Sequence, residues 1–417
     1  MKLNIYKYTY HIKIVLFLIL LSSFFISCER DENSSQQNGR RLTIVYMVAH
    51  NNLDYFAINN INQMEEGYNS NLGGDLYVYI DRMNGTLSHP YILKIEHDTT
   101  LQIKSKIVYI YPEQNSASAS ILREVIGDIC SLDKDYSSVG LILWSHGSSW
   151  LPPGYSISSD RNKIVTENKT RSFGEEDIVV NNKDSVCEMD IKDLANALSG
   201  YHFDFLMFDA CYMGSIETAY ELRHTNDYYI SSPTEILSTG FPYQKIVPTL
   251  FEKTFNPKNV AKAYYDYYES QNGALKSGAI SVIKSNKLDE FASFIKSMNE
   301  NICKKNVGYD VSSIADSIQQ YDGLSSNILF DFKDFIEKLM DKTGNHTLQS
   351  NFNSLWSNVM IQEYHTESIF SSLSLKNCNG VSTYIMNNTT NTNLNGYYKT
   401  LSWYKDSGYD KIFSNIN

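Results

Sequence analysis

Two apolar segments of the chain end on side chains that could carry out nucleophilic catalysis. The segment LILWSHG ends at Gly147, directly after His146, and the segment FDFLMFDAC ends at Cys211. Such apolar runs are typical of buried strands in a parallel sheet. In these sheets the chemistry lies just beyond the carboxyl ends of the strands, so we expect both side chains at one edge. A thiolate can attack a carbonyl carbon while an imidazole moves the proton, which predicts a cysteine peptidase.

The thiol of Cys211 would need activation, because a free thiol is mostly protonated at neutral pH. His146 as an imidazolium could stabilise the thiolate, and so could the positive end of a helix predicted over GSIETAYEL. The charge that develops on the carbonyl oxygen needs N–H donors. The backbone amides of Gly147 and Cys211 are the candidates for this oxyanion hole, and Gly147 has no Cβ to obstruct a substrate. The sequence names no third catalytic side chain.

The elements that must position these residues alternate between strand and helix. This alternation predicts an α/β fold with a mostly parallel central sheet flanked by helices. YILKIEH and IKSKIVYIY are expected to form an antiparallel pair at one edge of the sheet, and residues 148–188 are polar and lack an apolar period. The predicted buried strands are LTIVYMV, DLYVYID, VGLILWSH, FDFLMFDAC and DYYISSP, and the predicted helices include residues 53–64, SASASILREVIGDIC and DIKDLANALSG, the last capped by Asp190.

Beyond about residue 240 the chain is predicted to be mainly helical. NVAKAYYDYYESQ and LDEFASFIKSMNENI have helical spacing, whereas GAISVIK and GVSTYIM read as strands that could extend the sheet. We therefore expect a catalytic domain over residues 42–285. Residues 286–417 are expected to form a C-terminal extension that packs on the same core.

Charge and composition narrow the class of partner. The chain has 417 residues and a net charge of −11, and an acidic surface disfavours nucleic acid as a partner. The 31 tyrosines against 8 prolines indicate an ordered chain with little low-complexity linker.

The N-terminus predicts export. Lys2, Lys7 and Lys13 precede the apolar stretch IVLFLILLSSFFIS, which is too short for a comfortable membrane span and ends at Cys28. This arrangement resembles a bacterial lipoprotein signal over residues 1–27, with Cys28 lipidated and residues 28–41 as a flexible tether. The expected location is the outer membrane of a Gram-negative cell envelope, facing outward. Phe25 and Ser27 depart from the usual pattern, so a signal anchor or a plain secretory signal is the alternative.

Four further cysteines are neither the predicted lipidation site nor the predicted nucleophile. They show no C-x-x-C spacing and no histidine at the spacing of metal ligands, so no metal site is predicted. Buried free thiols are expected, with one disulfide as the alternative. These cysteines are Cys130, Cys187, Cys303 and Cys378.

Three motifs together resemble the clostripain-like cysteine peptidases, a family in the group of caspases, legumains and gingipains. They are YMVAHNNL at 46–53, WSHG at 144–147 and FDACYMGSIE at 208–217. In that group one strand ends on His-Gly and a later strand on Ala-Cys, in the order seen here. The resemblance covers roughly residues 42–285 and implies a caspase-like fold, a catalytic dyad of His146 and Cys211, and protein or peptide substrates.

The resemblance also implies a preference for cleavage after Arg or Lys. Asp209, two residues before Cys211, matches one of the two acids of the family's primary pocket. A structural role is the alternative, because a carboxylate beside a strand end often accepts backbone N–H bonds. Thr239, in LSTGFPY, stands where the second acid is usual, and Glu235 could compensate. One carboxylate rather than two would lose about 1–3 kcal/mol of binding if the contact is buried.

Regulation by cleavage and by calcium is further implied. Family members are often matured in the loop between the histidine and cysteine strands, and here residues 148–188 carry Arg161, Lys163, Lys169 and Arg171. An ordinary surface loop is the alternative. Calcium is possible by resemblance, although no ligand cluster stands out. His50 occupies a position where the family usually has Asp.

Two other functions compete with hydrolysis. The chain could be a surface lipoprotein that uses the fold for binding, which Thr239 and His50 favour slightly and His146 with Cys211 disfavours. It could also be a transpeptidase, which passes the thioester to an amine instead of water.

Overall fold

A nine-stranded sheet lies at the centre of the computed structural model. The structure describes residues 39–83, 89–133, 135–155, 157–158, 169–170, 173–180, 183–305, 310–322, 328–387 and 392–415. Several predictions from the sequence lie outside these residues: the signal peptide, Cys28, most of the tether, and Arg161, Lys163 and Arg171 of the proposed cleavage loop.

The strands of the sheet follow the spatial order β11-β10-β9-β8-β5-β1-β2-β3-β4. The five central strands, from β9 to β2, run parallel to one another. Each of the two strands at either edge is antiparallel to the strand before it. The strands are β1 Arg40–Ala49, β2 Gly74–Arg82, β3 Tyr91–Lys94, β4 Lys106–Ile110, β5 Tyr136–Trp144, β8 Phe203–Asp209, β9 Asn226–Ser231, β10 Ala279–Lys284 and β11 Met360–His365, while β6 Phe173–Val180 and β7 Lys183–Met189 form a separate hairpin.

The parallel centre of the sheet explains the continuous apolar runs in the sequence. From Thr43 to Ala49 every residue of β1 is fully buried, because both faces of a parallel sheet are covered. By contrast β4, at the far edge, is exposed along its whole length. The prediction of a mostly parallel sheet with an antiparallel pair at one edge is therefore confirmed.

Helices fill the intervals between the strands. Asp190 caps α3, and its carboxylate accepts a hydrogen bond from the Lys192 amide at 2.8 Å, whereas Ser118 precedes α2 without a capping hydrogen bond from its side chain. The helices are α1 Asp54–Gly67, α2 Ala119–Leu132, α3 Ile191–Leu198, α4 Ile216–Glu221, α5 Tyr243–Leu250, α6 Pro257–Glu269, α7 Leu288–Lys305, α8 Phe332–Lys342, α9 Gln349–Val359, α10 Thr392–Tyr398, α11 Ser402–Asp406 and α12 Tyr409–Ile412. Among the residues described, no helix is both long and apolar enough to cross a membrane.

Two segments differ from their predictions. GVSTYIM does not extend the main sheet; instead Ser382–Thr383 pairs with Phe330–Asp331, and the outermost strand is β11. The hairpin of β6 and β7 lies within the polar stretch 148–188. The sequence of this hairpin shows no apolar period because two of its buried residues, Glu175 and Glu176, are charged.

The cysteines in the described part of the chain are free. Cys378 is buried, and Cys130, Cys187 and Cys303 are partly buried. The expectation of free thiols is confirmed for these residues, and none of them forms a disulfide with another.

Candidate active site

His146 and Cys211 lie together at the carboxyl edge of the sheet. They follow the neighbouring parallel strands β5 and β8, in which Trp144 pairs with Asp209. Each side chain therefore comes two residues after a paired position. Both line one small cleft of about 30 Å³, together with Asp209 and apolar residues that include Leu53 and Ile236.

The thiol of Cys211 is held in its protonated form. Burial raises the pKa of Cys211 above its ordinary value, and the carboxylate of Glu235 raises this pKa further. The Ile236 amide donates a hydrogen bond to Sγ at 3.3 Å and acts in the opposite direction. Burial and Glu235 thus oppose formation of the thiolate, which is the reactive form of the nucleophile.

The turn after Cys211 is strained and tied to its neighbours. Tyr212 has a positive φ of 63°, in a region that costs a residue with a Cβ free energy. Its amide donates to the Thr234 carbonyl at 2.9 Å, and the Gly214 amide donates to the Ser232 carbonyl at 2.7 Å. The helix that was predicted to follow Cys211 directly begins only at Ile216 and is six residues long. The amide that donates to Sγ of Cys211 is instead that of Ile236, in the loop after β9.

The ring of His146 is oriented by Asn52. The distance from Nε2 of His146 to Oδ1 of Asn52 is 2.7 Å. Because the amide oxygen only accepts, Nε2 carries the proton, and Nδ1 is the basic nitrogen of the neutral ring. Sequence reasoning missed Asn52, although its place just after β1, at the same sheet edge, was a usable signal.

Gly147 allows the two catalytic loops to pack closely. A Cβ at this position would lie 2.8 Å from the Cys211 carbonyl oxygen and 3.0 Å from Cβ of Ala210. Gly147 also forms a bridge with Phe173 of β6, and the Gly174 amide donates to the His146 carbonyl at 3.1 Å. The close packing of the loops that follow β5 and β8 therefore requires a residue without a side chain at this position, independently of any substrate.

Asp209 lies in the wall of the cleft and is buried. Its Oδ2 accepts hydrogen bonds from the Phe241 amide at 3.0 Å and from the Tyr243 hydroxyl at 2.9 Å. Burial raises the pKa of Asp209 to about 7. The residue at the place of the second acid, Thr239, is exposed, and its hydroxyl lies 3.2 Å from that of Tyr268.

Glu235 contacts the turn after the cysteine. Its Oε2 lies 3.5 Å from the Tyr212 hydroxyl, and the residue is absent from the lining of the cleft. Compensation by Glu235 for the missing second acid therefore receives no support from its position.

Two clusters of described side chains have the geometry of metal ligands. One consists of His50, Asp81 and Glu176, and the other of Glu363, His365 and Cys378. Calcium takes six to eight oxygen ligands, and each cluster offers at most two carboxylates beside a nitrogen or sulfur ligand. Neither set fits calcium, so no step of the reaction is assigned to that ion.

Comparison with known proteins agrees with this architecture. A secreted C11 cysteine protease from Bacteroides thetaiotaomicron, solved with an irreversible peptide inhibitor, is 29% identical, with a TM-score of 0.71 over 89% of this chain and 100% of that one. An inactive zymogen C11 protease from Parabacteroides distasonis is also 29% identical, with a TM-score of 0.69 over 88% of this chain and 98% of that one. These similarities confirm the predicted caspase-like α/β fold.

The sequence comparisons identify the family. Clostripain from Hathewaya histolytica is 25% identical over 236 residues, which make up 51% of this chain and 43% of clostripain. The match thus spans less than half of that relative. The model of the clostripain family matches residues 45–415, nearly all of the part that the structure describes. The chain belongs to the clostripain family.

Proposed function

We propose that the protein is a cysteine endopeptidase. The observation that carries this proposal is the convergence of His146 and Cys211 on one cleft from neighbouring parallel strands. Membership of the clostripain family and the inhibitor-bound Bacteroides relative support it.

The reaction divides into two steps on the same thiol. Nδ1 of His146 accepts the proton of Cys211, and Sγ attacks the carbonyl carbon of the substrate. The amides of Gly147 and Cys211 are the proposed donors to the resulting oxyanion. The imidazolium then protonates the leaving amine and the C–N bond breaks, leaving a thioester. Water, deprotonated by His146, hydrolyses the thioester and restores the thiol.

Asp209 is the proposed determinant of a preference for Arg or Lys before the cleaved bond. It is the acidic residue in the lining of the cleft, and a buried carboxylate binds a cation strongly. With a pKa of about 7 the carboxyl group is about half charged at neutral pH, charged at higher pH and largely neutral in acid. One acid rather than two should give a weaker preference.

Activation by cleavage between residues 148 and 188 fits the resting state of the thiol. Burial and Glu235 keep Cys211 protonated, and the related protease from Parabacteroides distasonis was solved as an inactive zymogen. A cut in this segment could release β6, which is tied to His146 through the Gly174 amide. Self-cleavage predicts fragments on a denaturing gel that are absent for Cys211→Ala.

The proposed location is the outer membrane, with a lipid on Cys28 and the catalytic domain outside the cell. The Bacteroides relative is a secreted protein, which agrees with export. In the proposed division of the chain, residues 42–285 form the catalytic domain and residues 286–417 form an extension that supports it. Labelling with a radioactive fatty acid, with Cys28→Ala as control, tests the anchor.

The decisive experiment uses residues 29–417 and fluorogenic peptides that differ only in the residue before the reporter. We expect turnover after Arg and Lys that is absent for Cys211→Ala. Cysteine-dependent turnover after other residues would keep the peptidase and reject the role of Asp209. No turnover, with or without nicking in 148–188, would favour a binding protein, and product joined to an added amine would indicate a transpeptidase.

A further inference from the structure

A buried cluster of three side chains lies beside the catalytic groups but takes no part in the proposed reaction. His50 follows β1, Asp81 lies near the end of β2, and Glu176 belongs to β6. One ligand atom from each side chain lies within 4.8 Å of the other two. Because the three residues come from separate elements at the carboxyl edge of the sheet, the fold itself assembles the cluster.

The two carboxylates carry negative charge into the protein. Asp81 is 2% exposed and Glu176 is 4% exposed. Among the residues described, no lysine or arginine forms an ion pair with either of them. The ionisable side chain beside Asp81 is that of His50, which compensates a carboxylate only when it is protonated. Buried charges of this kind are normally paired or bound to a metal.

The spacing of the cluster suits an ion better than a hydrogen bond. Nδ1 of His50 lies 3.7 Å from Oδ1 of Asp81, and this buried nitrogen has no hydrogen-bond partner. A hydrogen bond of that length is too weak to hold the imidazole ring of His50 in place. Ligand atoms about 2.0–2.2 Å from a tetrahedral zinc ion lie roughly 3.4 Å from each other, close to the 3.7 Å between these two atoms. The ligand atom of Glu176 lies within 4.8 Å of both.

Outer contacts hold the carboxylates in place. The Ser116 hydroxyl donates to Oδ2 of Asp81 at 2.6 Å and accepts from the Tyr79 hydroxyl at 2.7 Å. The amides of Ser116 and Ala117 both donate to Oε2 of Glu176. Fixed outer partners of this kind orient metal-binding carboxylates, and the 28% exposed side chain of His50 leaves a route from solvent.

We propose that His50, Asp81 and Glu176 bind one divalent transition-metal ion of the zinc type. Imidazole nitrogen with two carboxylate oxygens suits zinc or cobalt, whereas calcium requires more oxygen ligands.

The site would secure the segment that orients the catalytic histidine. The Asp177 amide donates to the His50 carbonyl at 2.9 Å, and Nδ2 of Asn51 donates to the Glu175 carbonyl at 2.6 Å. Asn52, the next residue, contacts His146. This consequence rests on the proposed function, but metal binding itself does not, so binding is measured in a variant that lacks the nucleophile.

The test uses residues 29–417 with Cys211→Ala and no histidine tag, titrated with Co²⁺. We expect visible absorption bands that saturate at one equivalent, without the intense near-ultraviolet band of a cobalt–thiolate bond. Zn²⁺ should displace the Co²⁺ and raise the melting temperature. Added His50→Ala or Glu176→Gln should weaken binding by more than the roughly 10- to 100-fold that an outer partner is worth.

His365→Ala is the matched control, because it alters the second cluster and should leave the binding unchanged. His50→Gln guards against misfolding: its neutral side chain should allow the protein to fold, as circular dichroism would show, but should weaken Co²⁺ binding. A thiolate band would place the ion at Cys378 and overturn the proposal. Unchanged binding in His50→Ala and Glu176→Gln would place the ion elsewhere, and no binding to the parent would show that the cluster holds no metal. Either result would overturn the proposal.

Discussion

Asn52 determines which nitrogen of His146 can act as the base. Its amide oxygen accepts the Nε2 proton at 2.7 Å and leaves Nδ1 to move the proton of the thiol. A positioning residue of this kind should affect the rate of the chemical step more than binding.

We expect Asn52→Ala to lower kcat roughly 10- to 100-fold with little change in KM. Asn52→Asp should retain most of the activity, because a carboxylate also accepts the Nε2 proton. The added negative charge favours the imidazolium, so the limb of the pH profile due to His146 should move to higher pH. Equal losses in both variants, without a shift of the limb, would contradict this role.

Glu235 opposes ionisation of the Cys211 thiol. It is the second cause, after burial, of the raised pKa of Cys211. We expect Glu235→Gln to lower this pKa, and each unit of decrease increases the thiolate fraction about tenfold below the pKa. The measurement is the rate of iodoacetamide labelling of the Cys211 peptide against pH, followed by mass spectrometry. The partly buried Cys130 is the internal reference and should label at the same rate in both proteins.

The raised pKa of Asp209 predicts that the preference for a basic residue before the cleaved bond depends on pH. Its pKa is raised to about 7, so the carboxyl group is largely neutral in acid and becomes charged as the pH rises through 7. Two peptides that differ only in Lys against norleucine should therefore diverge, with the ratio of kcat/KM rising between about pH 6 and 8. The ratio cancels the titration of Cys211 and His146. It should be flat in Asp209→Asn, and a flat ratio in the wild type would remove Asp209 from the pocket.

At the scale of elements, the close approach of β5 and β8 is what brings the two catalytic side chains together. Gly140 of β5 pairs with Phe205 of β8, and a Cβ on Gly140 would lie 2.2 Å from the Phe205 ring. The ring thus occupies the space that a side chain would need. Backbone hydrogen bonds fix the distance between the two strands, and the missing side chain lets the ring pack against β5.

Gly140→Ala should therefore destabilise the protein by about 1–3 kcal/mol through overpacking. Adding Phe205→Leu should cost less than the sum of the two single changes, by about 0.5 kcal/mol or more. Urea unfolding measures both effects. Gly73→Ala is the control, since Gly73 lies outside the helices and strands and a Cβ there meets nothing within 4 Å. Its midpoint should be unchanged or slightly higher. Additive costs would show that the ring and the glycine do not interact.

The same elements show what a sequence can and cannot predict. The buried strands β1, β5 and β8 were predictable because both faces are covered and the apolar run is unbroken. The edge strand β11 was not, because all of its residues are only partly buried and several are polar. The positions of His146 and Cys211 followed from the strand ends, whereas the contact of Asn52 with His146 depends on how a third strand is placed beside β5.

At the scale of the whole molecule, the C-terminal residues are joined to the catalytic turn through Glu217. This fully buried residue lies on α4, six residues after Cys211. Its Oε1 accepts hydrogen bonds from the Thr383 hydroxyl at 2.7 Å, the Tyr384 amide at 3.0 Å and the Tyr398 hydroxyl at 2.7 Å. The strand β11 adds a second link, because it completes the sheet that carries the site.

If residues 286–417 support the catalytic part, loss of this acceptor should weaken the whole protein at once. Glu217→Ala leaves three buried donors without a partner and should cost about 2–4 kcal/mol, whereas Tyr398→Phe removes one bond and should cost about 1 kcal/mol. Tryptophan fluorescence and loss of peptidase activity should show one shared urea midpoint in each variant, because both parts unfold together. Activity that outlasts the fluorescence change, or a cost for Glu217→Ala no larger than for Tyr398→Phe, would mean that the catalytic part stands without this link.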